Sequence, residues 1–407
     1  MRNLSKSLFV LVGLGGAASA NGFYINEHDA KVTGRAGASV ATDTDPSSIV
    51  FNPGGIAVGE GTAFSVGASL ISAQATYTDP ANNKTDTNGS PAVLPQAMIT
   101  HRINDMFAVG VAFHLPFGLA VSWPDSSPQA GIVTKQSLRT YFITPSVGVN
   151  LNKQVPGLSI GAGLDLVPAT VQLEQNIYFG SESGRAVLGG TAFGIGARFG
   201  VMYRPEAEKR LSFGLTYKSQ VNLDFDGKGD FDMAEPYRAQ LPPDGDISTT
   251  LHLPMSIGGG VAFRPNEKLE VEANVVWINW KKFETIDIKL PDGSHSVQPQ
   301  DYENTFTLRV GGEYKINPKA AVRAGYIYDP TPVPGTTLSA RLPDINRHDV
   351  TVGGSYSVTP KLDVHLAGLL VIPGSNEAST KDPYMPTFKG TYDVTAIVVS
   401  LGLTGRM

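Results

Sequence analysis

The feature that most constrains this chain is a two-residue alternation of apolar and polar side chains. It recurs in segments of about ten or more residues from near residue 60 to the end. In 305–315, Phe306, Leu308, Val310, Gly312 and Tyr314 fall on one side, and Thr307, Arg309, Gly311, Glu313 and Lys315 on the other. Leu362, Val364, Leu366, Gly368 and Leu370 oppose Asp363 and His365, and Phe213, Leu215 and Tyr217 oppose Ser212, Thr216 and Lys218. A period of two belongs to a strand with one apolar and one wet face. After the N-terminus no run reaches ~18 consecutive apolar residues, which excludes helical membrane spans.

The connectors between these segments are of two kinds. Short, turn-rich ones lie at 104–105, 152–157, 204–209, 264–268, 317–319 and 359–361. Longer stretches rich in Pro, Gly, Asp and Ser lie at about 76–91, 124–136, 178–188, 224–247, 285–303, 329–346 and 373–390. Short turns on one side and long loops on the other predict an all-β, 14-stranded antiparallel transmembrane β-barrel of the outer-membrane kind. Trp123, Trp277 and Trp280 lie near the long-loop ends, as do Tyr178, Tyr217, Tyr326 and Tyr328, which predicts an aromatic girdle. The net charge of −5 gives no basis for nucleic-acid binding. There is no cysteine, so disulfides and cysteine-ligated metals are excluded. A large closed sheet needs no such staples.

The N-terminal end departs from the alternation. Residues 1–20 read as a secretory signal peptide: Arg2 and Lys6, an apolar run from Leu8 to Leu14, and a small-x-small site at Ala18-Ser19-Ala20. The mature chain is then expected to start at Asn21 and to occupy the bacterial outer membrane. Residues 21–60 are rich in Gly and Ala, show no strand period, and end in Phe51-Asn52-Pro53-Gly54-Gly55. Residues 61–407 form the barrel. Its interior is too wide for its own side chains to fill, so 21–60 either hang below as a tail or fold into the lumen as a plug.

One strand breaks its own rule. Residues 113–123, FHLPFGLAVSW, alternate like a membrane strand yet carry Pro116, Phe117 and Gly118 in the middle. Pro has no N–H to give a neighbour, and Gly weakens a strand interior. Strand physics alone leaves two readings: a bulge that adjusts twist, or a gap that lines a cavity.

In order along the chain, further residues resemble the FadL-type outer-membrane transporters of long-chain fatty acids and aromatic hydrocarbons. Asn21–Glu27 looks like the mature N-terminus of that family. Gly34-Arg35-Ala36-Gly37, Asp43–Ser48 and Phe51-Asn52-Pro53 look like its plug, called the hatch, with Gly54 where the family usually has Ala. Leu115–Leu119 resembles its interrupted third strand, and Thr134–Thr140 with Thr144–Val147 the strand after it. Trp277–Phe283, Phe306–Tyr314, Arg323–Pro330 and Leu342–His348 continue the likeness. The chain departs at its end, where Met407 stands in place of the usual aromatic residue.

The resemblance implies a plug in the lumen and passive uptake of hydrophobic molecules by lateral diffusion through an opening at Pro116, Phe117 and Gly118. Substrate would be gathered by the long loops and held against Phe23 and Ile25, whose movement opens the path. The expected partners are the hydrophobic substrate, outer-membrane lipid and lipopolysaccharide, and the barrel assembly machinery, with the chain working as a monomer. Arg198, Lys218, Arg309 and Arg323 have the parity of lumen-facing residues. They suit either a substrate carboxylate or pairing with Glu270, Glu272, Glu313 and Asp363. The stretch 167–175 holds Glu174 and no basic residue, which leaves room for a neutral hydrocarbon.

No catalytic or cofactor motif is present, so an enzyme is not expected. The seven His residues lack paired ligand spacing. Asp224, Asp226, Asp230 and Asp232 alternate as calcium ligands can, but Lys228 stands among them and no closing Glu follows, so a solvated loop is expected. From other functional classes, a surface-binding barrel (adhesin or phage receptor) and a general porin are the competing readings.

Overall fold

In the computed structural model, residues 22–89, 91–379 and 389–407 are described. The expected signal peptide lies outside them. Fourteen strands follow in chain order: β1 (Thr62–Thr78), β2 (Ala92–Arg102), β3 (Phe107–His114 and Gly118–Ser122), β4 (Lys135–Thr140 and Phe142–Asn150), β5 (Leu158–Phe179), β6 (Glu182–Tyr203), β7 (Leu211–Lys218 and Val221–Asp232), β8 (Gly245–Leu253 and Ser256–Phe263), β9 (Leu269–Ile278), β10 (Thr305–Asn317), β11 (Ala320–Asp329), β12 (Arg347–Thr359), β13 (Leu362–Ser379) and β14 (Lys389–Arg406). Each pairs antiparallel with the next. The sheet closes where β1 meets β14, from Ala63↔Arg406 to Thr78↔Thr391.

The alternation decides which way each side chain points. Phe306, Leu308 and Val310 face outward at 45–58% exposure, while Thr307 and Arg309 between them are buried. Phe213, Leu215, Leu366, Leu370, Ile397 and Leu401 are likewise exposed, and Ser212, Thr216, His365 and Ser400 are buried. Apolar outside and polar inside is the inverse of a water-soluble fold and the pattern of a barrel set in lipid. Among the described residues no helix is long and apolar enough to cross a membrane; the strands cross it.

Three expected loops are shorter than the sequence implies. Residues 178–188 form the tip of one continuous hairpin, with β5 and β6 joined through Gly180 (φ 60°) and Ser181. Each strand has 22 residues, about 70 Å of chain at ~3.3 Å per residue, well beyond the ~25 Å apolar band. Likewise β7 runs to Asp232, β8 starts at Gly245, and β13 runs to Ser379. Above the lipid the ladder still satisfies the backbone, but outward side chains need not be apolar, so the composition there reads as loop. The aspartates at 224–232 lie on β7, where Asp224 accepts from Thr250 and Lys228 pairs with Asp246.

The aromatic girdle needs a correction too. Trp123 and Trp280 are 1% and 0% exposed and point into the lumen. Trp123 Nε1 donates to the Ala340 carbonyl at 2.9 Å. Only Trp277 keeps strand parity, cross-paired with the outward Ile257 and Phe306. The other two lie past the regular strand, where alternation no longer dictates direction.

The lumen holds residues 22–59. They form α1 (Ala30–Thr33), α2 (Ser48–Phe51) and a 3-10 turn at Pro53–Ala57, nearly all buried. Asp29 caps α1 by accepting from the Lys31 and Val32 amides and takes a hydrogen bond from Ser65 Oγ of β1 at 2.8 Å. Asn52 caps the 3-10 turn through Gly54 N and donates to the Val40 and Val201 carbonyls at 2.6 and 2.9 Å. The close approach requires glycine in the wall. A Cβ on Gly200 would lie 2.0 Å from Asn52 Oδ1, and one on Gly161 2.1 Å from the Pro53 carbonyl oxygen.

Candidate functional site

The break in β3 sets the geometry of the site. Below it β2 and β3 pair from Arg102↔Ala108 to Ala97↔Phe113. Above it, among the described residues, Ala92–Gln96 of β2 pair only with β1. Pro95 in that stretch has no N–H to offer. The pairing of β3 with β4 shifts by one residue across the break, from His114↔Phe142 to Gly118↔Arg139. Residues 115–117 are therefore both a bulge and the start of an edge that β2 leaves open.

The N-terminal segment of the hatch takes that edge. Thr140 Oγ1 donates to the Phe117 carbonyl from the β4 side at 2.6 Å. Pro116 O and Gly118 N therefore face the opposite edge, since successive backbone groups alternate in direction. There Ile25 N donates to Pro116 O at 2.8 Å and Gly118 N donates to Phe23 O at 3.0 Å, with Tyr24 and Phe117 forming an antiparallel bridge. Pro116 gives up a donor that this pairing does not need. Gly118 makes room, because a Cβ there would lie 3.2 Å from Ile25 Cδ1.

Apolar chambers run from the long loops to this point. The outermost, about 90 Å³, is lined by Leu173, Leu188, Ile247 and Ile288. The next, also about 90 Å³, adds Phe23, Leu119, Leu138, Phe283 and Tyr302, and shares Val171, Phe225 and Ile286 with the first. The innermost, about 50 Å³, lies against Ile25, Leu94, Phe117, Val371 and Val398, and shares Leu119 and Leu138 with the second. The Phe23 ring stands between them, edge-on to Trp280 (4.9 Å) and Phe283 (5.4 Å) and tilted against Phe117 (6.0 Å). A single water needs ~10–15 Å³ of such space, so each chamber has room for several waters.

The fold is shared by known proteins. Residues 11–406 match the model of a family described as outer membrane protein transport protein (OMPP1/FadL/TodX). The chain belongs to that family. It is 24% identical to the long-chain fatty acid transport protein of Salmonella typhi, covering 89% of this chain and 90% of that one. The crystal structure of a Pseudomonas aeruginosa FadL homologue superimposes with a TM-score of 0.86 at 21% identity, covering 95% and 99%. That of the Ralstonia pickettii toluene transporter TbuX gives 0.74 at 18%, covering 94% and 99%. The chain is thus an outer-membrane protein of a transport family.

Within this FadL/TodX-family barrel the sequence candidates separate into two groups. Phe23, Ile25, Pro116, Phe117 and Gly118 come together at the break. Lys218 joins them from β7, with Nζ donating to Tyr24 OH at 3.2 Å. Phe51, Asn52, Pro53 and Gly54 lie lower, against β5 and β6. Arg198, Arg309 and Arg323 do not line the chambers. Arg198 pairs with Asp165 at 2.7 Å and donates to the Ile49 and Val50 carbonyls at the end of α2. Arg309 donates to the Ala36 carbonyl. Arg323 pairs with Glu313 at 2.7 Å. Of the carboxylates expected to pair across the lumen, Glu270 and Glu272 hold Arg35 of the hatch, and Asp363 holds Arg406.

Sequence reading missed Arg139, Arg341, Arg347 and Asp344, all of which lie at or near the chambers. Asp344, in the loop after β11, accepts from Thr331 Oγ1 at 2.6 Å and from Gly22 N at 3.1 Å, fastening the start of the hatch. Burial pushes its carboxyl up to about 7. Its position between Pro343 and Ile345 carries no periodic signal. Arg139 also lacks one, since its pairing with Gly118 follows from the register shift at the break.

Proposed function

We propose that this protein is a passive channel for hydrophobic molecules, with long-chain fatty acids as the first substrate class to test. Substrate enters the chambers beneath the long loops, displaces Phe23 and Ile25, and leaves sideways between β2 and β3 into the membrane. The observation that carries this reading is the edge of β3 at 116–118, held by two backbone hydrogen bonds from residues 23–25 instead of by β2. Backbone left unpaired in lipid is strongly unfavourable, so such an edge persists only where it lines a cavity or has a temporary partner. The family membership and the relative named for long-chain fatty acid transport support the substrate class. The mostly apolar lining equally suits a neutral hydrocarbon, which is the second reading.

The test is uptake of a labelled long-chain fatty acid by bacteria lacking their own outer-membrane transporter for it, with this chain inserted. Restored uptake supports the channel. Pro116→Val combined with Gly118→Val should then abolish it, because it restores a strand N–H at 116 and fills the gap at 118; uptake equal to the parent would end the lateral route. A general porin predicts large, steady conductance in planar bilayers, whereas a lumen filled by 22–59 predicts little. Loop deletions that abolish cell binding but not uptake would favour a surface receptor.

A further inference from the structure

The chambers contain a cation with no partner. Arg139 lines the innermost chamber, and among the described residues its guanidinium makes no hydrogen bond or ion pair. Its Nε is buried without an acceptor. Leaving a buried donor unsatisfied is unfavourable, the more so for a charged group. The other charged groups nearby have partners of their own: Glu27, in the same chamber, accepts from Asn26 N at 3.0 Å. Arg347, in the same chamber, pairs with Asp329 at 3.1 Å and Asp349 at 3.4 Å. Lys135, two positions of the same parity above Arg139, pairs with Glu174 at 3.6 Å.

The placement of Arg139 is equally specific. The pairing of β4 with β5 keeps one register from Thr140↔Ala169 to Ile143↔Leu166, so Arg139 shares the outward face of Tyr141, Ile143 and Val147. Ile143 and Val147 are 40% and 43% exposed and face lipid. Tyr141, between them and Arg139, stands at the height where rings meet the membrane–water boundary. Arg139 is thus one step above the lipid band, at the outer lip of the β2–β3 edge. The chamber it lines reaches Ile25 and Arg347 within the lumen. A fatty acid in a bilayer has the same arrangement, with its chain in the apolar core and its carboxylate at the boundary. A guanidinium offers a planar carboxylate two parallel donors.

We propose that Arg139 is a specificity residue: it receives the carboxylate of an acid-bearing substrate as the chain passes between β2 and β3. This rests on the lateral route proposed above. It selects long-chain acids over neutral molecules of the same length.

The test compares a labelled long-chain fatty acid with the primary alcohol of the same chain, in uptake by cells and in equilibrium binding to the purified, folded barrel. The variants are Arg139→Gln, Arg139→Lys and Arg139→Glu, with heat-modifiable gel mobility to confirm folding. A charge-assisted hydrogen bond in this setting predicts that Arg139→Gln lowers the acid-to-alcohol ratio about tenfold in both assays. Arg139→Lys should recover most of it, and Arg139→Glu should fall below Gln. An unchanged ratio, or an equal fall for acid and alcohol, overturns the inference. So does a loss of co-purifying lipopolysaccharide in Arg139→Gln with the ratio unchanged, which would make the natural anion a headgroup phosphate. If the parent takes up neither molecule but its binding ratio depends on Arg139, the transport reading fails and the carboxylate site stands.

Discussion

The two ends of the hatch are attached to the barrel by different chemistry. From Asp29 to Ala57 it is fastened by buried charges and caps: Arg198 on the end of α2, Glu272 accepting from Ala41 N and Thr42 Oγ1, and Asn52 bonded to β6. From Gly22 to Ile25 it is held by two backbone bonds to β3, one bond to Asp344, and aromatic edges. Removing a buried ion-pair partner strands a charge, whereas releasing residues 22–25 breaks no ion pair. The first attachment is therefore permanent, and the second can be exchanged for a ligand of similar apolar character.

The sharpest way to break this comparison is Arg198→Ala. It leaves Asp165 buried without its cation and two helix-end carbonyls without a donor, so unfolding stability in detergent should drop by about 3–5 kcal/mol. Planar-bilayer conductance should rise as the hatch loosens. Gly200→Ala drives a Cβ into Asn52 and should remove about 1–3 kcal/mol by overpacking. Phe23→Ala should shift global unfolding by less than about 1 kcal/mol, because that end opens locally, while substrate binding weakens. A Phe23→Ala barrel as unstable as Arg198→Ala would refute the division.

Smaller effects sharpen it. Asp344 titrates near 3.8 in an ordinary setting and near 7 here. Between those values the unfolded chain has released a proton that the folded one keeps, so its contribution favours folding below pH 3.8 and is lost as pH rises to about 7. Asp344→Asn should remove that part of the pH dependence of unfolding in a denaturant titration. Gly54→Ala should be the mildest. Its Cβ would meet Met202 N and Asn52 Oδ1 at 3.1 Å, which a shift of a few tenths of an ångström relieves. A change below about 1 kcal/mol in the same titration is expected.

Much of the barrel was legible because lipid imposes one rule on every spanning residue. Alternation gave the strand number and the outward faces of Phe306 and Leu366. The break announced itself because Pro116 violates that rule. The rule stops where the lipid stops. It said nothing about Trp123 or Trp280, which turn inward beyond their strands, nor about the upper half of β5 and β6, which looks like loop. It placed Arg198 and Arg323 inside and offered Glu313 among their partners, but could not tell that Asp165 sits beside Arg198, since neighbours across a ladder depend on register. Arg139 escaped because the shift at the break decides which residue of β4 meets Gly118.

The closure of β1 on β14 has a consequence for biogenesis. Phe23 meets residues near 280, Asp29 meets β1, Arg35 meets β9 and Asn52 meets β6. Residues 22–59, made before any strand, thus have docking points distributed around most of the circumference, and none exists as a set until the wall has curled. The set of docking points is complete only when the seam from Ala63 to Thr78 is hydrogen-bonded. Hatch docking and ring closure are therefore expected to be coupled, each completing the other.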